Sequence, residues 1–189
     1  MTKLVKLGLA SVLTASALFG GTYNVDKSHS TVGFKVKHMM ISSVRGTFDN
    51  FSGSFEYDEK TKTLKSLNGT VDVKSVNTAN EKRDKHLKES DFFAADKYPQ
   101  IVFKLDKVED DKAYGKLTMR GVTKDVVLDV EVNGTIKDPW GNVRTGLVLE
   151  GKINRMDYGI KYNSVLEAGG VAVGEKVKLI VELEGILEK

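Results

Sequence analysis

The sequence predicts an all-β protein of eight antiparallel strands with one short inserted helix. Three observations carry this expectation. Apolar residues recur with period two in eight separate runs, short polar or Pro/Gly turns join the runs, and only one stretch of helical spacing interrupts them.

In the first run Val32, Phe34 and Val36 share a face opposite Gly33, Lys35 and Lys37, and His38 falls where the next apolar residue belongs. The second run is Phe51, Gly53, Phe55 and Tyr57, and the third is Leu67, Gly69, Val71 and Val73. Ile101, Phe103 and Leu105 form the fourth, then Gly115, Leu117 and Met119 the fifth. Val126 to Val132, Leu147 to Ile153 and Val177 to Leu183 complete the count, each alternating in the same way. The connections DEKTK (58–62), EDDK (109–112) and DPWGN (138–142) have hairpin length, and Pro139 with Gly141 suits a tight turn. Strands so joined form an up-and-down sheet, which must close into a barrel or split into a sandwich because open edges invite aggregation.

Two segments break the rhythm. Residues 77–93 have helical spacing, with Thr78 and Glu81 placed as a capping-box pair and Arg83, Leu87 and Ser90 on one face. Residues 156–170 form a long glycine-ended loop without a period, a length usually kept for function.

Four inner-face positions are glycines: Gly53, Gly69, Gly115 and Gly151. They leave room for a ligand or mark bends needed for closure. An apolar lining would suit a long hydrocarbon chain, each buried CH2 contributing about 0.8 kcal/mol. His38, Arg83, His86 and Arg155 are the polar groups able to meet a head group, arginine by a bidentate fork. Each also has a plain structural reading: His38 as a strand end, Arg83 and His86 as a solvated helix face, Arg155 as a partner of Asp157.

Composition narrows the function. Lys plus Arg is 29 against 26 acids, with no basic run, so no nucleic-acid partner is expected. Cysteine is absent, which excludes disulfides, thiolate metal sites, a cysteine nucleophile and a lipidated cysteine. Lys3 and Lys6 precede an uncharged apolar run from Leu7 to Phe19, in which Ala15 and Ala17 give the small-x-small pattern of a signal peptide. Cleavage is expected after Ala17, leaving one domain over residues 18–189, soluble in the periplasm if the source is a Gram-negative bacterium.

Several ordered motifs make the chain resemble the YceI-like proteins. Asp26, His29 and Ser30 precede the Val32–His38 run, and Gly46, Phe48, Phe51 and Gly53 follow it. Asn77-Thr78, then Arg83, Asp84, His86 and Leu87, then Asp91 to Phe93 continue the likeness, as do Gly115 to Thr123 and Ile153 to Gly159. The resemblance covers essentially the whole mature chain. It implies a lipocalin-like barrel, an eight-stranded antiparallel one, that holds a polyisoprenoid or fatty-acyl amphiphile. It also implies a homodimer for many members and, for some, contact with a membrane or a membrane cytochrome. The expected tunnel is lined by Phe34, Val36, Phe48, Phe55, Val71, Val73, Phe93, Phe103, Leu117 and Met119, with His38, Arg83 and His86 at the head group.

Two rival classes fit less well. A metal-dependent hydrolase would have to assemble its site from His29, His38 and His86, but nine residues separate the first two, which puts them on opposite faces of a regular strand. No H-E-x-x-H or G-x-S-x-G pattern occurs, so no catalytic residue, metal or cofactor is expected. A structural or adhesive sandwich would have a filled core and would act through loops such as DPWGN, whose Trp140 is the only tryptophan.

Overall fold

The computed structural model describes residues 20–165 and 169–189; the expected leader and cleavage site lie outside them. Eleven strand segments occur among the described residues. They are β1 (Gly20–Val25), β2 (Thr31–His38), β3 (Ser42–Phe48), β4 (Phe51–Asp58), β5 (Thr63–Asp72) and β6 (Val76–Asn77). After helix α1 (Glu81–Lys88) come β7 (Gln100–Glu109), β8 (Lys112–Met119), β9 (Val122–Lys137), β10 (Val143–Asn154) and β11 (Val173–Leu187).

Hydrogen bonding runs β1-β4-β5-β7-β8-β9-β10-β11 and returns from β11 to β1, all antiparallel, so the sheet closes. Segments β2, β3 and β6 prolong β1, β4 and β5 toward one end, with β2 on β11, β3 on β2 and β6 on β3. The structure is thus an eight-stranded barrel in which three strands are broken. Two of the breaks have a visible cause. Asp26 accepts a hydrogen bond from Ser28 N, and Asp72 accepts one from Lys74 N, each starting a single 3-10 turn. Val73 therefore leaves the strand expected for it and lies buried in the second turn.

The helix is shorter than its sequence pattern. Its N-cap is Asn80, whose side chain accepts from Arg83 N at 2.9 Å. Thr78 does not cap it: its hydroxyl and amide bind the Asp84 carboxylate instead.

The two ends of the barrel differ. At one, Tyr23 and Phe55, both fully buried, stack at 5.2 Å within a core that includes Tyr57, Leu64, Leu105 and Leu147. This end is sealed. Arg144 closes it, donating to Asp26, Asp138 and Glu184 at 2.6 to 2.8 Å. The Arg144 guanidinium holds the Asp138 carboxyl far below its ordinary value; the Ser28 hydroxyl, then His29 and Arg144, do the same for Asp26. Trp140, 80% exposed, sits on the β9–β10 turn at this same end.

Candidate functional site

The other end is hollow. A cavity of about 570 Å³ runs into the barrel between α1, the β2–β3 hairpin, residues 160–164 and residues 172–173. That is within the ordinary range for a small-molecule site.

The emptiness has a local origin. Gly69 faces inward between Leu67 and Val71, and a Cβ there would meet nothing within 4 Å. Gly53, its cross-strand partner, also borders the space, although its own Cβ would come within 2.6 Å of the Asn68 carbonyl. The other two inward glycines do something else. A Cβ at Gly115 would lie 2.7 Å from the Phe103 ring, and one at Gly151 would lie 2.4 Å from Leu128 Cδ2. These two admit neighbouring side chains and create no cavity.

Of the expected lining, Phe34, Val36, Phe48 and Val71 border the cavity. Phe93, Phe103, Leu117 and Met119 do so as well. Phe55 and Val73 do not. The Phe55 ring is locked against Tyr23 in the sealed end, and the turn at Asp72 carries Val73 out of the inner row. Trp140 is likewise remote from the cavity, so it cannot report directly on an occupant.

His38, Arg83 and His86 all reach the cavity, at its open end. Arg83 is held in place: Nε donates to Thr78 Oγ1 at 2.7 Å and Nη2 to the Thr78 carbonyl at 2.9 Å. Thr78 is in turn fixed by Asp84, so the R-D pair and the preceding threonine form one unit. Arginine has five donors, and this unit uses two of them. His86 Nε2 lies 2.8 Å from Asp91 Oδ2, and its ring meets Phe92 and Tyr162 edge-on at 4.9 and 4.8 Å. His86 thus joins the helix to the wall of the cavity.

Arg155 also borders the cavity and is 3% exposed. It does not pair with Asp157. It donates to the carbonyls of Gly174, Ile160 and Val173 at 2.9, 2.6 and 3.1 Å, which ties the β10–β11 connection to the barrel. Burial lowers its pKa, partly offset by Glu175, yet a guanidinium stays charged under such a shift. Met39, Tyr162 and Ala172, not foreseen as lining residues, complete the mouth. Only Tyr162 lies in the long aperiodic loop, whose length signals a function without saying which side chains turn inward; Met39, on the β2–β3 turn, and Ala172 carry no such signal.

His29 is elsewhere. It lies at the sealed end, with Nδ1 2.9 Å from Asp26 Oδ2 and 3.9 Å from Glu184 Oε1. The Arg144 guanidinium already donates to both carboxylates, so this group acts as an ion-pair latch.

Residues 23–185 match the model of the YceI-like domain. A UPF0312 protein of Staphylococcus aureus strain N315 is 40% identical over 163 residues, covering 86% of this chain and 95% of the relative. The crystal structure of the Campylobacter jejuni YceI protein is similar with a TM-score of 0.70 at 37% identity, over 88% of this chain and 98% of that one. A polyisoprenoid binding domain from Saccharophagus degradans, implicated in plant cell wall breakdown, shares the fold with a TM-score of 0.64 at 17% identity, over 88% and 98%. The chain belongs to the YceI-like family.

Proposed function

We propose that this member of the YceI-like family is a binding or carrier protein for a long-chain amphiphile, a polyisoprenoid or a fatty-acyl compound. The chain lies in the barrel cavity and the polar head faces Arg83, with His38 and His86 beside it. The observation that carries the reading is the distribution of polarity along the cavity. Its wall is mostly Phe, Val, Leu, Ile and Met, with Ser52, Asn68 and Thr70 as uncharged polar members, while Arg83, His38 and His86 gather at its open end. An apolar tail gains by leaving water and a polar head gains by staying near the cations.

Binding without catalysis fits the placement of the histidines, since His29 stands at the sealed end, away from His38 and His86. The polyisoprenoid-binding neighbour supports the ligand class. The leader-like N-terminus supports delivery to the periplasm, and a homodimer is part of the same reading.

A titration tests the head site. The protein is mixed with a prenyl phosphate and with the prenyl alcohol of equal length, and complexes are counted by native mass spectrometry. The phosphate should bind more tightly, and Arg83→Ala should remove about tenfold of that preference, or about 1.4 kcal/mol, while sparing the alcohol. Equal binding of both ligands by the wild type would place the head away from Arg83.

A further inference from the structure

The hairpin joining β2 and β3 turns at Met39, Met40 and Ile41, which are 42%, 61% and 86% exposed. Met39 and Met40 have φ of 48° and 64°. Asn and Gly adopt that geometry readily, whereas a long apolar residue does so against its preference. The turn accepts strain to display two methionines. It is also tied to the neighbouring loop: Met39 N donates to the Ala172 carbonyl at 2.8 Å, and Ala172 N donates to the Ser164 carbonyl at 2.9 Å. Val165, 86% exposed, bridges to Val171 in that loop. Met39 and Ala172 border the cavity as well, so the exposed apolar tip is the lip of the apolar interior.

A second feature lies on the outer wall below this lip. Lys152 on β10 faces Lys178 on β11, Lys178 faces Lys35 on β2, and Lys35 faces Arg45 on β3. Four cations stand side by side across four strands, although like charges directly opposite destabilise a sheet. Among the described residues only Lys178 of the four has an ion pair, with Glu150 at 2.8 Å. Lys37 and Lys176 extend the positive wall toward the lip, where Glu175 is an exposed acid.

We propose that the lip and this wall together form a docking surface for an anionic lipid bilayer. Met39, Met40, Ile41 and Val165 enter the boundary of the hydrocarbon, and the cation row meets the lipid phosphates. Apolar insertion plus basic attraction is the two-signal arrangement that gives reversible membrane binding. The inference rests on the carrier reading in one respect: the mouth facing the bilayer lets a water-insoluble ligand pass without crossing solvent.

Flotation of the full mature protein with vesicles tests it, using phosphatidylcholine alone and phosphatidylcholine containing phosphatidylglycerol. The wild type should float with the anionic vesicles only and be released by salt. Arg45→Glu with Lys152→Glu, and separately Met40→Asp with Ile41→Asp, should each lower the bound fraction roughly tenfold or more. Failure of the wild type to float, or variants floating as well as the wild type, would overturn the proposal. So would a concentration-dependent dimer in ultracentrifugation that the Met40/Ile41 variant abolishes without any flotation, since the lip would then seat a second copy. Native mass spectrometry of the same samples separates the two ideas. Bound lipid without flotation removes the docking surface and leaves the carrier, and flotation of a protein that never holds lipid does the reverse.

Discussion

Gly69→Leu adds a side chain where the barrel has space for it. A Cβ at this position meets nothing within 4 Å, the backbone is ordinary strand, and the neighbours Leu67 and Val71 point the same way. The four carbons of leucine would fill part of the cavity that a ligand chain otherwise uses. At about 0.8 kcal/mol for each displaced methylene, affinity for a chain long enough to fill the cavity should fall by about 3 kcal/mol, roughly 200-fold. The empty protein should gain stability, by about 0.4–1 kcal/mol from the lost freedom of glycine in the unfolded chain, with added burial on top. Opposite signs are the signature. Thermal unfolding of lipid-stripped protein and native mass titration with a prenyl alcohol measure the two quantities. Gly115→Leu serves as the control, because its Cβ would lie 2.5 Å from the Lys104 carbonyl and it should simply destabilise. Unchanged ligand affinity in Gly69→Leu would refute the reasoning, as would a parallel loss of stability.

Three further outcomes are expected. Phe55→Ala should cost about 3–5 kcal/mol in urea unfolding yet leave ligand stoichiometry intact, since Phe55 is fully buried toward the sealed end and does not border the cavity. Arg155→Leu should cost at least about 2 kcal/mol, because the carbonyls of Ile160, Val173 and Gly174 lose their donor in a buried place. The Arg144 latch should give a pH dependence. Asp26 and Asp138 are depressed below their ordinary 3.8, so their contribution is fully present above about pH 4 and is lost as acid protonates them. Melting temperatures measured between neutral and strongly acid pH should therefore fall below that point in the wild type, and fall less steeply in Arg144→Leu.

Much of the architecture is legible in the residues. The eight inward rows follow from period two, and each has its strand, because a half-buried strand must alternate. The interruptions are not legible that way. β3 carries Gly46 between Val44 and Phe48, since the Phe34 ring occupies the place of its side chain, and this blanks the alternation. β1 begins with two glycines beside an apolar leader-like run, so Tyr23 and Val25 alone do not form a pattern. The 3-10 turns depend on single aspartates bonding two residues ahead, a choice made by the fold around them.

The site divides in the same way. Phe34, Val36, Val71, Phe103, Leu117 and Met119 border the cavity as counting along regular rows places them, whereas Phe48 on β3 and Phe93 after α1 border it from outside those rows. Phe55 lies on the inward face but outside the cavity, because counting gives the face and not the depth along the barrel. Arg83, His38 and His86 converge only through the three-dimensional packing of α1 against the mouth. Arg155 is legible as an inward residue, but its carbonyl partners are not: Ile160 lies in a connection with no period, and Val173 and Gly174 begin β11 before its alternating row.

If the protein is a carrier, its cavity holds a lipid. The most direct test is native mass spectrometry of the mature protein taken from its own cells, followed by solvent extraction and identification of what is released. One prenyl or acyl amphiphile per barrel is expected, lost on extraction and restored by adding it back. A clean apo mass that takes up nothing from a total lipid extract would contradict the carrier reading.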